Sequence, residues 1–237
     1  MTMFYNVSKV RYDILKQFEN DQNEPFAHVY KKHLIALLDI VEKSGDEGEG
    51  SIFYGFGYKD RTADKLDPEF RNKRRGMALF GMAKKRVLEV GFNSGFSAQL
   101  MLTANPNLEL VCIDIGYHSY VQPCAKYLKE QFGDRFTLVL GDSREMLPLY
   151  LSNDNNFDGY HIDGDHREPG AETDLINVIN LARPGSVICF DDADFHPLRN
   201  IITLHLLQGS ISHIFDPKFH LTSKNQMFLR VDRQARP

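Results

Sequence analysis

Three aspartates, Asp163, Asp191 and Asp192, stand at the ends of two predicted buried strands, 157–163 and 186–191. Neighbouring strands lie about 4.8 Å apart, so carboxylates at such ends can converge on one point. Uncompensated carboxylates there would raise one another's pKa values unless a cation lies among them. An oxygen-only ligand set favours a hard ion such as Mg²⁺. The sequence thus predicts a metal site at these aspartates; the alternative is that Asp191 and Asp192 cap the next helix.

Two candidate general bases follow closely in the segment IDGDHRE, namely Asp165 and His166. Histidine titrates near neutral pH, which suits proton abstraction, although an exposed loop histidine can equally be idle. We predict that one of the two is catalytic. His196 is predicted to begin a helix, with a place beside the metal or the substrate as the alternative.

A glycine-containing segment, residues 89–97 (EVGFNSGFS), follows the first predicted strand. Its glycines let the backbone approach a ligand, and amides at the next helix N-terminus can bind a carboxylate. The spacing is GxxxGxS, not the GxGxxG of dinucleotide binders. Asp114 ends the second strand and could bind ribose hydroxyls, while Asp142 and Ser143 end the third and could meet adenine. Each could also be a cap or turn; together they favour a nucleoside-bearing ligand.

The elements that position these residues alternate regularly. Short apolar strands are predicted at 86–90, 108–114, 135–140, 157–163 and 186–191, with helices at 95–104, 119–132, 143–151, 170–182 and 196–207. This alternation predicts an α/β fold with a parallel sheet covered on both faces. Two last segments, 213–217 and 226–232, predict a terminal β-hairpin. Ligands of such sheets bind at the carboxyl ends of the strands, where the residues above fall.

The segments RVLEVGFNSGFSAQLML, VCIDIG, LGDSREMLP, FDGYHIDGDH and LARPGSVICFDDAD resemble the successive motifs of class I S-adenosylmethionine-dependent methyltransferases. The similarity is strongest to the metal-dependent O-methyltransferases of the catechol and macrolide-sugar types, and it covers about residues 76–232. It implies a Rossmann-like seven-stranded sheet of order 3-2-1-4-5-7-6 whose last strand is antiparallel.

The resemblance also implies roles for individual residues. Those around the methionine part of the cofactor would be Glu89, Gly91, Asn93 and Ser97, with Asp114 at the ribose and Asp142 and Ser143 at the adenine. Ser94, Gly95 and Ile115 are also expected to bind the cofactor. The metal-dependent members carry an acid after strand four and an acidic pair after strand five, as Asp163, Asp191 and Asp192 do. His166 matches the position of the lysine base of catechol-type enzymes, and Asp165 matches the acid proposed for sugar-type ones.

The N-terminal third lies outside this resemblance. Residues 1–75 are predicted to form a helical cap, with helices within 8–43 interrupted at Pro25, an acidic loop at 44–51 and aromatic contacts from 54–58. Residues 76–237 would form the S-adenosylmethionine-binding domain. The segment 71–86 holds seven basic and no acidic residues, and its apolar residues predict a helix that packs on the sheet with its charges solvated. It could instead help to close the site or bind an acidic group of the substrate.

The charges and composition exclude other classes. The chain of 237 residues has a net charge of −4, while residues 154–194 hold ten acids against two bases, which gives −8. This excess of negative charge at the predicted site disfavours binding of nucleic acid. No run of 18 apolar residues and no signal peptide is visible, and three widely spaced cysteines predict free thiols, so we expect a cytoplasmic protein. A homodimer formed through the cap is also expected.

The predicted function is Mg²⁺-dependent methyl transfer to a hydroxyl of a small molecule, either a sugar or a phenol with vicinal hydroxyls. One alternative is a metal-independent methyltransferase acting on a small molecule or RNA. The other is a nucleoside- or dinucleotide-binding protein without methyl transfer.

Overall fold

The apolar segments after residue 85 form the central sheet of the computed structural model, which describes residues 27–49, 52–55, 61–153, 156–167, 169–214 and 225–232. The strands are β1 (Arg86–Val90), β2 (Glu109–Asp114), β3 (Phe136–Leu140), β4 (Gly159–Ile162), β5 (Val187–Phe190), β6 (Ile211–His213) and β7 (Met227–Val231). Their order is β3-β2-β1-β4-β5-β7-β6. The first five strands are parallel, and β7 runs antiparallel to β5 and β6. The predicted Rossmann-like topology and terminal hairpin are thereby confirmed.

Helices connect the strands close to the predicted positions. They are α1 (Ala27–Ser44), α2 (Arg71–Ala83), α3 (Phe96–Ala104), α4 (Val121–Phe132), α5 (Ser143–Asn153), α6 (Gly170–Leu181) and α7 (His196–Leu207). A short 3-10 turn, Pro68–Phe70, precedes α2, and the Asp67 carboxylate caps it by accepting the Glu69 amide at 3.0 Å. The hairpin strand predicted at 213–217 is wrong in position, because β6 begins at Ile211; residues 215–217 lie outside the described part of the chain.

Alternation along each strand sends neighbouring residues to opposite faces of the sheet. Val87 and Cys112 belong to the apolar layer beneath α1, α2, α3 and α4. Leu88 and Ile113 belong to the layer beneath α5, α6 and α7. Burial of both faces explains why the strands read as nearly continuous apolar runs. Cys112, Cys124 and Cys189 are all free, as predicted, and all three are buried.

Helix α1 shares a core with the sheet. Tyr30, Leu34 and Leu37 are fully buried in the first apolar layer, and His33 Nδ1 lies 2.9 Å from the Tyr127 hydroxyl of α4. Helix α2 continues across the boundary predicted between residues 75 and 76. The division into cap and transferase domain stays a prediction, and the N-terminal periodicity before residue 27 lies outside the described residues.

The basic helix α2 corrects one expectation. Its charged side chains were predicted to be solvated, but Lys73, Arg74, Arg75 and Lys84 are 3–9% exposed. The apolar stripe that includes Met77 and Phe80 packs inward as predicted. The helix is buried so deeply that the charged residues beside the apolar stripe are also shielded from solvent. One of these charges has a hydrogen-bond partner, because the Arg74 guanidinium donates to the Asp67 carbonyl at 3.0 Å. Lys73 reaches the carboxyl edge of the sheet.

Within the part of the chain that the structure describes, no helix combines the length and apolar character that crossing a bilayer would require.

Candidate functional site

A cleft of about 350 Å³, part of it open to solvent, lies at the carboxyl edge of the sheet. Six of the predicted site residues line it, namely Gly91, Asn93, Ser94, Ser97, Asp163 and Asp191. Other lining residues that the sequence did not single out are Ile52, Lys73, Met77, Phe92, Phe96 and His161. The glycine loop and the acidic strand ends therefore face one common space.

The glycine loop has a conformation that its glycines make possible. Gly91 has φ +90°, and a Cβ atom built there would lie 2.0 Å from the Asp163 carbonyl oxygen. The loop after β1 thus packs directly on the loop after β4, which only glycine permits. Gly95 has φ +76° and stands at the N-terminus of α3. Phe96 and Ser97, in the first turn of α3, line the cleft. Backbone amides at a helix N-terminus can bind an anion there.

Asp114, at the end of β2, fixes this loop. Its Oδ2 accepts hydrogen bonds from the amides of Phe92 and Asn93 at 2.9 and 2.8 Å, and its Oδ1 accepts from the Gly116 amide at 2.7 Å. Oδ2 thus uses both of its lone pairs, whereas Oδ1 has one left that can accept a ribose hydroxyl. Ile115 follows with 68% of its surface exposed, so its apolar side chain is available to a ligand. The predicted ribose role of Asp114 is compatible with these contacts.

The acidic loop after α1 covers this end of the site. Glu49 Oε2 accepts from the Asn93 amide side chain at 2.6 Å, and Glu49 Oε1 lies 3.2 Å from His118 Nε2. Asp46 accepts from the Ser119 amide at 2.7 Å and from its hydroxyl at 2.8 Å. The described part of the predicted cap thus contacts a predicted cofactor residue, a link that nothing in the linear sequence indicated.

Asp142 and Ser143 lie at the end of β3, where α5 begins. The Asp142 carboxylate accepts from the Arg144 amide at 2.9 Å and is held by the Arg144 guanidinium. These hydrogen bonds hold the pKa of Asp142 below its usual value. Nearby Asp174 is a buried carboxyl whose pKa burial raises to about 6, and neither of its oxygens has a hydrogen-bond partner among the described residues. In the structure as it stands, both residues serve the start of α5, and their adenine contacts stay a prediction.

Glu89 lies beneath the cleft, not on its surface. It is fully buried, and its carboxylate accepts from the Ser97 hydroxyl at 2.5 Å and contacts His161 Nδ1 at 2.8 Å and Cys112 Sγ at 3.0 Å. Strand register explains this cluster, because Glu89 pairs with Cys112 on one side and His161 on the other. Burial alone would lower the pKa of His161, but the hydrogen bond to Glu89 and the nearby carboxylates raise it overall.

The three aspartates converge, and positively charged side chains of the protein itself lie among them. Lys73 Nζ lies 2.6 Å from Asp191 Oδ2, and both side chains are buried. His166 lies between the other two, 3.4 Å from Asp163 Oδ1 and 3.3 Å from Asp192 Oδ2. Helix α2, which precedes the sheet in sequence, folds back to supply the ammonium group.

The pKa values reflect this arrangement. Burial and repulsion from Asp163 raise the pKa of Asp191 to about 6, although attraction to Lys73 opposes this shift. Burial and repulsion from Asp191 also raise the pKa of Asp192. Burial alone would lower the pKa of Lys73, but attraction to the three aspartates raises it, so the amine stays protonated.

The two candidate bases differ in charge state. The hydrogen bond to Asp163, opposed by burial, raises the pKa of His166 to about 9. At neutral pH this imidazole therefore carries a proton and could accept one only after losing its own. Asp165 is exposed and accepts from the Arg167 side chain at 2.9 Å; burial would raise its pKa, but the Arg167 hydrogen bonds lower it below the usual value. His196 begins α7, as predicted.

The residues present fit a divalent cation. Carboxylate oxygens of Asp163 and Asp191 and a ring nitrogen of His161 lie within 4.8 Å of one another, and so do ligand atoms of Asp163, His166 and Asp192. Asp191 Oδ1 is buried and has no hydrogen-bond partner among the described residues. A buried carboxylate oxygen without a partner is costly, and a bound cation would satisfy it. Lys73 holds the other oxygen of Asp191, as second-sphere groups commonly do for ligating carboxylates.

Sequence reasoning missed Lys73 and His161. Lys73 was hidden in a run of seven basic residues, and nothing distinguished it from its neighbours before the helix was docked. His161 did carry a signal, because a histidine inside the otherwise apolar strand GYHI needs a buried partner.

Comparison with known proteins agrees with the fold. The family model described as "Methyltransferase domain" matches residues 88–193. The search of curated proteins gave no match. Among solved structures, the O-methyltransferase from Bacillus cereus in complex with SAH is 16% identical with a TM-score of 0.59, over 85% of this chain and 91% of that one. The SAH-bound methyltransferase PaMTH1 from Podospora anserina is 15% identical with a TM-score of 0.59, over 96% and 97%.

A third similar structure is CalS11, a calicheamicin methyltransferase whose apo structure is described as that of a TDP-rhamnose 3'-O-methyltransferase. It is 18% identical with a TM-score of 0.54, over 69% of this chain and 80% of that one. Residues 88–193, which include the glycine loop and all three strand-end aspartates, are similar to a methyltransferase domain, and this confirms the resemblance predicted from the motifs.

Proposed function

We propose that the protein transfers the methyl group of S-adenosylmethionine to a hydroxyl of a small molecule, with Mg²⁺ or another divalent cation at the strand-end carboxylates. The observation that carries the proposal is the common cleft, in which Asn93 and Ser97 of the glycine loop face the same space as Asp163 and Asp191. A donor held by the loop and an acceptor held at the acids would then be neighbours. Positioning of this kind supplies much of the rate of a transfer reaction.

The reaction requires a nucleophilic oxygen and an aligned methyl group. The acceptor oxygen forms a bond to the methyl carbon while the carbon–sulfur bond breaks, and S-adenosylhomocysteine leaves. A divalent cation lowers the pKa of a bound hydroxyl and orients it. The hydroxyl proton passes to a nearby base, for which Asp165 and His166 are the candidates. The helix α3 N-terminus and Asp114 would hold the carboxylate and the ribose of the donor.

The charges of the site support a hydroxylated acceptor over a phosphate-rich one. Asp163, Asp191 and Asp192 give this edge of the sheet an excess of negative charge that Lys73 and the protonated His166 offset only in part. Nucleic acid is therefore disfavoured, and a sugar or a phenol with vicinal hydroxyls is favoured, since two such oxygens can chelate one cation. CalS11, one of the similar structures, is described as a sugar-nucleotide O-methyltransferase, which supports the same class.

A second candidate is metal-independent methyl transfer, and the Lys73–Asp191 pair favours it. The buried ammonium group already neutralises one carboxylate. In that case the acids would shape the pocket and hold the acceptor by hydrogen bonds. Metal removal distinguishes the two candidates, because only the first needs a cation that EDTA removes.

The test begins with binding and continues with turnover. Calorimetry should show that the protein binds S-adenosylhomocysteine and does not bind NAD. Binding of NAD alone would contradict methyl transfer. Release of S-adenosylhomocysteine is then measured with a panel of catechols and sugar nucleotides, with EDTA and after Mg²⁺ or Mn²⁺ is added back. We expect Asp163→Asn to abolish the metal-dependent rate and the matched control Asp194→Asn, an exposed acid nearby, to keep it. A rate that survives EDTA supports the metal-independent candidate.

A further inference from the structure

His161 occupies an unusual place for a titratable group. It sits at the middle of β4 with 1% of its surface exposed, and its neighbours across the sheet are Glu89 on β1 and Cys189 on β5. Burying an imidazole costs free energy unless its nitrogens are satisfied. The Nδ1 atom is satisfied, because it lies 2.8 Å from Glu89 Oε1.

The other nitrogen of the ring has no protein partner. His161 Nε2 is buried and makes no hydrogen bond with any residue that the structure describes, and the same holds for Asp191 Oδ1. Both residues line the cleft. Together with Asp163 they place one nitrogen and two oxygens within 4.8 Å of one another. A group bound between these two residues would satisfy both buried atoms, since buried polar atoms are rarely left without a partner.

A second group of candidate ligands, Asp163, His166 and Asp192, is called the outer set here. Its members already contact one another. The ring of His166 spans Asp163 and Asp192, with its nitrogens 3.4 and 3.3 Å from their carboxylates. Asp192 and Asp163 are each about 30% exposed, so water also reaches them. The outer set therefore already has ionic partners. In the inner set, which consists of His161, Asp163 and Asp191, two atoms have no hydrogen-bond partner among the described residues, namely His161 Nε2 and Asp191 Oδ1.

We propose that the cation binds the inner set, through His161 Nε2, Asp163 and Asp191, and that Asp192 is not a direct ligand. The Glu89–His161 contact then has the form of a carboxylate–histidine–metal relay, in which the carboxylate fixes the ring and its tautomer. One imidazole with two carboxylates suits a first-row transition ion such as Mn²⁺ or Co²⁺ better than Mg²⁺, which prefers oxygen. This inference rests on the cation of the proposed function and names the atoms that hold it.

Lys73 is compatible with this assignment because it contacts the opposite oxygen of Asp191. Its Nζ holds Oδ2, which leaves Oδ1 to the cation. A bound cation displaces a proton from the imidazole nitrogen, as metal binding generally does. The sequence predicted Asp192 as the third ligand. In the proposed arrangement His161, inside strand β4, is the third ligand instead.

The test uses the full chain, without methyl donor, and Mn²⁺ as the probe. Pulsed electron paramagnetic resonance detects a nitrogen nucleus bound directly to Mn²⁺. We expect this coupling in the wild type, its loss in His161→Gln and its persistence in the matched variant His166→Gln. Calorimetric titration should show His161→Gln weakening Mn²⁺ binding by about tenfold or more, since even second-sphere changes cost this much. Asp192→Asn should leave the nitrogen coupling in place and weaken Mn²⁺ binding less than His161→Gln does.

Other outcomes overturn the inference. Nitrogen coupling that is absent from the wild type, or lost in His166→Gln and kept in His161→Gln, would assign the cation to the outer set or to oxygen alone. If His161→Gln fails to fold, His166→Gln still decides between the two sets, because coupling that persists in it supports the inner set and coupling that is lost overturns the inference. Absence of Mn²⁺ binding also overturns the inference, and with it the metal requirement of the proposed function. Methyl transfer itself is judged separately, by turnover in EDTA.

Discussion

The buried ion pair between Lys73 and Asp191 gives a sharp prediction. The atoms are 2.6 Å apart, and the two side chains are 9% and 2% exposed. Lys73→Met keeps most of the apolar stem and removes only the ammonium group. Asp191 is then left as a buried carboxylate beside Asp163, without its nearest positive charge.

The size of the effect follows from the pKa of Asp191. Even with Lys73 present, burial and Asp163 raise this pKa from 3.8 to about 6. At about 1.36 kcal/mol per pKa unit, the ionised form already costs about 3 kcal/mol. The native state binds this proton more tightly than the unfolded chain does, so stability falls as pH rises from about 4 to 6. Without Lys73 the pKa rises further, and the cost continues to grow above pH 6.

We therefore expect a pH-dependent loss of stability in Lys73→Met. Removing one partner of a buried pair costs about 3–5 kcal/mol while the other stays charged. This is the loss expected at pH 8. At pH 5, Asp191 can take up a proton, and the loss should shrink to about 1 kcal/mol, the contribution of one hydrogen bond.

The assay is urea unfolding at both pH values, with EDTA present so that no divalent ion replaces the ammonium group. Asp191→Asn and the double variant complete a double-mutant cycle. The double variant carries neither charge and should recover most of the stability lost in Lys73→Met. An equal loss at pH 5 and pH 8, or a double variant no more stable than Lys73→Met, would refute the assignment of the pair.

Two further predictions concern the cofactor half of the site. Gly91→Ala should lower the free energy of unfolding by more than about 3 kcal/mol, because its Cβ would clash with the Asp163 carbonyl. Gly45→Ala, with φ +77° and no atom within 4 Å, should cost only about 1–2 kcal/mol in the same urea titration, so equal losses would contradict the contact. Asp114→Asn should weaken binding of S-adenosylhomocysteine about tenfold or more, measured by calorimetry, because the amide NH₂ cannot accept the loop amides or ribose hydroxyls. An unchanged affinity would speak against the ribose role.

Local sequence patterns determined most of the elements. The first strand is found at 86–90 as predicted, and α7 at 196–207 as predicted, because each combines an apolar pattern with clear boundary residues. The short β6 was misplaced, since three residues in an edge strand carry too little periodicity to fix their ends. The strand ends then located Asp163, Asp191 and Asp192 at one edge of the sheet.

The partners of those residues were decided by tertiary structure. The sequence by itself determined an α/β sheet with a glycine loop and a cluster of acids at one rim, since alternation and strand-end position are local properties. Only the folded chain brings Lys73 beside Asp191, because helix docking depends on packing across more than a hundred residues. Only strand register sets His161 beside Glu89, because a shift by one residue would turn that ring to the opposite face of the sheet.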